Sequence, residues 1–175
     1  MRNLKNLTRE QLILLIQLVL KKMGKKRTIA GLPKPKHIVV HHGAGDWDFL
    51  QVNRAHKQRW GFKSSLGYYA GYHYFIEKGG EITQARKDTE EAAHTVEAGN
   101  PHYWNRNSIG ICLQGNTMKK EPTDEQIKSL KALLQEKQLQ YDIPKLEIYG
   151  HRNIAATLCP GQFLYNWLLD YKKGR

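Results

Sequence analysis

The 175-residue sequence has only two cysteines, Cys112 and Cys159, and few acidic side chains. Two cysteines are too few for a disulfide framework, so oxidation does not hold the fold together; a metal role or a buried free thiol remains open. With 16 Asp and Glu against 28 Lys and Arg the formal charge is +12, which favours an anionic partner such as nucleic acid, anionic lipid or an acidic wall polymer. Internal repeats and low-complexity tracts are also lacking, and 40% apolar residues are typical of one globular domain.

A hydrophobic run long enough to cross a membrane is lacking as well. The segment from Leu12 to Leu20 is apolar around Gln17, whereas a span needs about 20 such residues. A basic segment, 21–27, follows it without the small residues of a cleavage site, so no cleaved signal peptide is expected. Residues 1–30 are predicted to form an N-terminal helix and linker. Packing on the domain or self-association is favoured over attachment to a membrane.

Residues 31–175 are predicted to form one domain of mixed α/β class, with a central mixed β-sheet flanked by helices. Alternating and β-branched segments predict strands at His37–His42, Tyr68–Glu77, Glu81–Ala85, Asn107–Gln114 and Leu146–Tyr149. Helices are predicted at Asp48–Trp60, from the capping box of Thr123 and Gln126 onward, and at Gln162–Tyr171.

Two histidines and a cysteine are candidate metal ligands. His41 ends the first strand, His151 follows the last strand, and Cys159 precedes a Pro-Gly turn. Two imidazoles and a thiolate suit zinc, and three protein ligands leave a fourth position for an activated water, as in catalytic sites. His42 is expected to point to the opposite face from His41, so that only one of them is a ligand.

Spacing alone leaves two other interpretations open. In the first, the two histidines are hydrogen-bonded residues at strand ends and Cys159 is a buried thiol. Alternatively, Cys112 and Cys159 form a disulfide, which is disfavoured because Cys112 lies on an apolar strand, where a free cysteine packs as a small hydrophobic residue.

Four segments carry a more specific pattern: Ile38–His42, Gly71–Ile76, Asn107–Ile111 and Gly150–Gly161. In this order they resemble the zinc-dependent N-acetylmuramoyl-L-alanine amidases of type 2, which include amidase-type phage lysozymes and peptidoglycan-recognition proteins. The resemblance covers about Ile38 to Gly161. It implies that His41, His151 and Cys159 bind zinc.

The resemblance also implies roles for residues around the metal. Tyr72 matches a tyrosine that lies beside the zinc, where a phenol can donate a hydrogen bond to developing negative charge, although most strand tyrosines simply pack. Thr157 stands where some members have lysine; its hydroxyl can donate a hydrogen bond but brings no positive charge. His94 and Asn107 are expected to contact substrate.

One position departs from many members of the family. Several amidases carry a glutamate for proton transfer where this sequence has Cys112, and a buried neutral cysteine is a poor general base. The phage-lysozyme branch also has cysteine there, so the departure indicates a branch rather than loss of activity. Three candidates for proton transfer therefore stay open: hydroxide on the zinc, Tyr72 and a histidine.

The resemblance implies hydrolysis of the amide bond between N-acetylmuramic acid and L-alanine, as in a phage-type endolysin. The alternatives are a peptidoglycan-recognition module that does not cleave, or a regulator that binds RNA polymerase. The expected partner is peptidoglycan, an anionic wall polymer; no specific nucleic acid is expected, because no helix interleaves aromatic with basic residues. The protein is expected to stay cytoplasmic until it is released to the wall.

Overall fold

The computed structural model describes residues 34–96 and 102–174, and the predicted N-terminal helix lies outside them. Five strands form one sheet in the order β3-β2-β4-β1-β5. They are β1 (His37–His42), β2 (Tyr74–Ile76), β3 (Ile82–Gln84), β4 (Ser108–Leu113) and β5 (Ile148–Gly150). The β1–β4, β1–β5 and β2–β4 pairs are parallel, whereas β2 and β3 form an antiparallel hairpin. The mixed α/β class predicted from the sequence is confirmed.

Helices cover both faces of this sheet: α1 (Phe49–Arg59), α2 (Tyr103–Asn107), α3 (Asp124–Tyr141) and α4 (Gln162–Lys173). Capping boxes begin α1 at Asp48 and α3 at Thr123, each satisfying backbone N–H groups at the helix start. Helix α1 packs with Phe75 and Cys112 on one face, whereas α3 and α4 pack on the other. Within the described residues, no helix has the length and apolar character needed to cross a membrane.

Two predicted strands differ from the observed ones. The strand expected over residues 68–77 is reduced to β2, because Asn53 Oδ1 accepts hydrogen bonds from the backbone N–H groups of Tyr69 and Ala70, at 2.6 and 3.1 Å. These amides are therefore unavailable to a sheet ladder. The last strand begins at Ile148, after a 3₁₀ turn at Lys145–Glu147. The short helix α2 has no counterpart among the predicted elements.

The parallel registers bring several chain segments to one edge of the sheet. Val40 lies beside Gly150, so the residue after β5 is level with the end of β1. On the opposite side of β1, His41 pairs with Cys112 of β4. Because the carboxyl ends of parallel strands share an edge, side chains from β1, β4 and β5 converge there.

Candidate active site

Three potential metal ligands meet at this edge. His41 and His151 lie side by side, with their ring centroids 4.5 Å apart. The loop before α4 places Cys159 Sγ 3.7 Å from Nδ1 of His41. One donor atom of each of the three residues lies within 4.8 Å of the others. Two imidazole nitrogens and one sulfur at this spacing fit the donor set and size of a zinc site.

The neighbouring histidine takes no part in this cluster. His42 Nδ1 accepts a hydrogen bond from the backbone N–H of Thr117 at 3.1 Å, on the other side of the sheet. Only the backbone of His42 faces the cluster, where its N–H lies 3.4 Å from Cys159 Sγ. The alternation of side chains along β1 therefore directs one histidine of the pair to the cluster.

Cys159 is held by backbone contacts and is a free thiol, as is Cys112. Its N–H donates to Thr157 Oγ1 at 3.2 Å, and its carbonyl accepts from the N–H of Arg152 at 2.7 Å. Burial raises the pKa of the Cys159 thiol to about 11, with smaller opposite effects of the His42 amide and Arg152. Without a metal the thiol is protonated at neutral pH and is a poor nucleophile.

A chain of hydrogen bonds behind His41 determines which ring nitrogen carries the proton. Ser108 Oγ donates to the Trp104 carbonyl at 2.6 Å, so it accepts from Nε2 of His94, 3.2 Å away. Nδ1 of His94 is then an acceptor, and His41 Nε2 donates to it at 3.0 Å. Burial holds the pKa of both histidines well below the usual range, so both are neutral. The lone pair of His41 therefore lies on Nδ1, which faces Cys159 Sγ.

His151 is held from the segment between β3 and β4. Thr95 Oγ1 lies 3.1 Å from Nε2 of His151. Asn105 fixes this segment, because its Oδ1 accepts from the N–H groups of His94 and Thr95, at 3.0 and 3.2 Å. Its Nδ2 donates to the Thr95 carbonyl at 2.8 Å. One asparagine thus positions the partners of both candidate histidine ligands.

Tyr72 and Cys112 lie on the adjacent side of the cluster. The Tyr72 ring centroid is 5.3 Å from that of His41. Burial, and then the neighbouring Cys112 and Cys159, raise the pKa of Tyr72 well above its usual value. Burial likewise raises the pKa of Cys112, which is fully inaccessible to solvent. Both groups keep their protons at neutral pH, so Tyr72 can donate a hydrogen bond and Cys112 does not act as a base.

A groove of about 430 Å³ lies beside Thr95, and none of the three donor residues is part of its lining. It is lined by Trp60, Phe62, 91–93, Thr95, Val96, His102 and Asn105. Thr95 links it to the cluster through the contact with His151. Trp60 and Phe62 are 47% and 41% exposed. The groove thus offers apolar and aromatic surface that is separated from His151 by Thr95, and ligand sites commonly have such surface.

The structure places His94 in the interior rather than on the wall of the groove. Its side chain is only 6% exposed. A Cβ atom at Gly110 would lie 2.5 Å from the His94 ring, so the glycine permits this close approach. The ring is turned inward beneath His41, to which it is hydrogen-bonded, and a substrate contact of His94 stays a prediction.

Asn107 lies far from the cluster along β4. It precedes Ser108, which pairs with His37 at the start of β1, whereas the cluster is at the other end of that strand. Its side chain donates to the Tyr103 carbonyl at 2.8 Å and borders a separate hollow with Thr89 and Arg106. A substrate contact of Asn107 stays a prediction, and the structure does not bring it to the metal ligands.

Sequence analysis did not identify Thr95, Asn105 or Ser108 as site residues. Each acts through a hydrogen bond to a residue at least four positions away, and these bonds form only when the segment before β4 folds over the sheet. Two signals were available: Thr95 directly follows His94, and Ser108 lies in the segment Asn107–Ile111. Thr157 was predicted, and the structure places it beside Cys159.

Comparisons with known proteins agree with this architecture. The family model of N-acetylmuramoyl-L-alanine amidase matches residues 31–162. The chain is 30% identical over 135 residues to peptidoglycan-recognition protein SC2 of Drosophila melanogaster, across 74% of this chain and 70% of that protein. It is similar in structure to the N-acetylmuramoyl-L-alanine amidase LysC from Clostridium intestinale, with a TM-score of 0.65 and 27% identity over 79% of this chain and 85% of that one. The endolysine amidase LysCS of the same organism gives a TM-score of 0.63 and 26% identity, over 84% and 91% of the two chains.

Proposed function

Because the chain belongs to the N-acetylmuramoyl-L-alanine amidase family, we propose that it hydrolyses the amide bond between N-acetylmuramic acid and L-alanine with the help of zinc. The observation that carries this proposal is the convergence of donor atoms from His41, His151 and Cys159. A protonated thiol is a poor nucleophile, whereas a thiolate is a strong zinc ligand. The buried Cys159 therefore supports metal-assisted hydrolysis rather than an acyl-enzyme on cysteine.

The three residues would hold zinc through Nδ1 of His41, Sγ of Cys159 and a ring nitrogen of His151. When bound, zinc supplies Lewis acidity for the hydrolysis of an unreactive amide. His94 and Ser108 keep the Nδ1 lone pair of His41 directed at this position, since the proton is held on Nε2. Thr95 and Asn105 orient His151 in the same way.

Tyr72 is the proposed donor to the carbonyl oxygen, which gains negative charge as the amide is attacked. Its phenol is beside His41 and keeps its proton across the physiological pH range. Thr157 is a second proposed donor, because its oxygen accepts from Cys159 N–H and its own proton has no acceptor in the described part of the chain. Donors placed before the reaction stabilise such charge without reorganisation.

The groove is the proposed binding site for peptidoglycan. The exposed faces of Trp60 and Phe62 can stack on a sugar ring or pack on an apolar part of the stem peptide. We further propose that the protein acts as an endolysin that stays cytoplasmic until it is released to the wall. The similarity to the endolysine amidase LysCS of Clostridium intestinale supports the endolysin role.

Recognition without cleavage is the second candidate function, since peptidoglycan-recognition proteins are among the relatives. Labelled insoluble peptidoglycan separates the two functions, with bound protein and released peptide measured in the same sample. Wild-type protein with zinc is expected to release stem peptide, whereas Cys159→Ala binds the wall and releases none. If wild-type protein with bound zinc sedimented with the wall and released no peptide, recognition would be the function.

A further inference from the structure

Helix α1 and the loop after it carry positive charge without compensating acids. From Phe49 to Ile76 the sequence has four basic residues, Arg54, Lys57, Arg59 and Lys63, and no Asp or Glu. All four are exposed to solvent. Across residues 34–96 and 102–174, none of the four forms an ion pair. These four residues are here called the α1 basic surface.

Aromatic rings hold part of this charge in place. Lys57 Nζ and Lys63 Nζ lie 5.2 and 6.0 Å from the centroid of one ring, that of Tyr69. The Arg59 guanidinium lies 5.1 Å from the ring centroid of Trp60. A cation near the face of an aromatic ring is attracted to it electrostatically, also at exposed sites. The two lysines are therefore kept near each other instead of moving freely apart.

Three described carboxylates, those of Glu90, Glu91 and Asp48, make contacts with other groups. Glu90 accepts hydrogen bonds from the N–H and hydroxyl of Ser65, at 2.8 and 3.0 Å. Glu91 is paired with Arg106 and His102. Asp48 caps α1 by accepting from the N–H of Gln51. These contacts leave the α1 basic surface with unneutralised positive charge.

The α1 basic surface continues into the groove. Trp60, on which Arg59 lies, is a wall of the groove, and Thr95 connects the groove to His151. A polymer chain attached to a sugar in the groove can therefore pass over α1. Lysine presents a point charge that suits single, regularly repeated anionic groups and needs no bidentate geometry.

We propose that the α1 basic surface binds a phosphodiester-linked anionic polymer carried by the wall glycan, an inference that rests on the proposed function. Phosphodiester groups keep their charge at all physiological pH values and repeat along a chain, so several cations can be engaged together. Single-stranded nucleic acid is disfavoured, because stacking of bases needs free aromatic faces. The ring of Tyr69 already lies against the ammonium groups of Lys57 and Lys63.

The test compares two variants with the same change of charge. Lys57→Gln/Lys63→Gln removes charge from the α1 basic surface, and Lys128→Gln/Lys131→Gln removes it from exposed positions of α3, on the other face of the sheet. Binding is measured at low salt to insoluble walls that carry poly(glycerol phosphate), and to the same walls after acid removal of that polymer.

Wild-type protein and the α3 variant are expected to bind the polymer-bearing walls about tenfold more tightly than the stripped walls, a preference that falls as salt is added. For Lys57→Gln/Lys63→Gln the preference is expected to fall to about twofold or less. An equal preference in both variants, or none in wild type, overturns the proposal. Tighter binding of single-stranded RNA or anionic lipid vesicles than of soluble poly(glycerol phosphate) also overturns it.

Cleavage of a small soluble muropeptide that carries no polymer separates this proposal from the proposed function. If wild type and both variants cleave it equally while Lys57→Gln/Lys63→Gln keeps the preference for polymer-bearing walls, the proposed polymer site is wrong and the amidase function stands. If none cleaves it with zinc bound while the preference does follow those charges, the amidase function fails and the surface remains.

Discussion

Nδ1 of His94 lies 3.0 Å from Nε2 of His41, and this contact connects a buried histidine to a candidate metal ligand. Since Ser108 fixes the proton of His94 on Nε2, His41 is obliged to donate and to present Nδ1 to the cluster. His94 is therefore a positioning residue for the metal site.

Replacing His94 by Phe is expected to lower the affinity for zinc by about 10- to 100-fold, because His41 loses the acceptor that holds its tautomer and ring orientation. His94→Gln, whose amide oxygen can accept the same hydrogen bond, is expected to recover part of the loss. Competition with a chromogenic chelator measures both affinities. An affinity of His94→Phe within twofold of wild type would falsify the positioning role.

The two cysteines are expected to behave differently. Cys159→Ser should weaken zinc binding by at least about 100-fold and abolish amidase activity with it, since a ligand is lost rather than a partner of a ligand. Cys112→Ala is the matched control: it removes a buried thiol at the same end of the sheet, and one zinc ion per chain should remain bound. The zinc content of each variant is measured after dialysis. A similar loss of zinc in both variants would count against Cys159 as the ligand.

Tyr72→Phe removes one hydroxyl and keeps the ring that packs near His41. We expect kcat to fall by about 100-fold, as for loss of one donor to an oxyanion, with little change in zinc affinity or in wall binding. Steady-state kinetics on a soluble muropeptide gives kcat and KM separately. A rise in KM with unchanged kcat would place the hydroxyl in substrate binding instead.

Stability is expected to fall as the pH is lowered from 6.5 towards 4. Burial is the main cause that lowers the pKa of His73 from 6.5 to about 4, and its ring accepts from Gly110 N–H and lies 2.9 Å from the Glu90 carbonyl. Between these pH values the unfolded chain binds the extra proton, so the contribution of His73 is complete above pH 6.5 and is lost as pH falls through 4. Protonation of His73 in the unfolded chain is therefore expected to lower the free energy of unfolding by about 3 kcal/mol.

Denaturant midpoints at pH 7 and pH 4.5 check this expectation, with His73→Gln as the comparison. The variant is less stable at pH 7 and should show a smaller drop between the two pH values. Equal drops in the variant and in wild type would assign the pH dependence to other groups, such as His56, whose pKa is also lowered to about 4 by burial.

Local sequence patterns were sufficient for most elements of the fold. A β-branched, apolar run identified β1, and reciprocal capping residues identified the start of α3 at Thr123. The pattern failed at residues 68–73, where the side chain of Asn53, from another element, takes the backbone hydrogen bonds of a predicted strand. Such competition depends on a contact that the local sequence does not encode.

The candidate site was likewise predictable only where local sequence patterns carry the information. His41, His151 and Cys159 carry recognisable donor atoms and flanking segments, and the structure brings them together. The role of His94 was not predictable from its neighbours, because its partner His41 is 53 residues away. The ring turns inward only because Gly110 of β4 leaves space for it.

Mass spectrometry of purified peptidoglycan after digestion tests the central claim most directly. The zinc-loaded protein is predicted to create new L-alanine amino termini and leave the glycan strands intact. Chelated protein is predicted to create none until zinc is restored. New reducing sugar ends, cleavage within the stem peptide, or equal release of L-alanine termini with and without zinc would contradict the account.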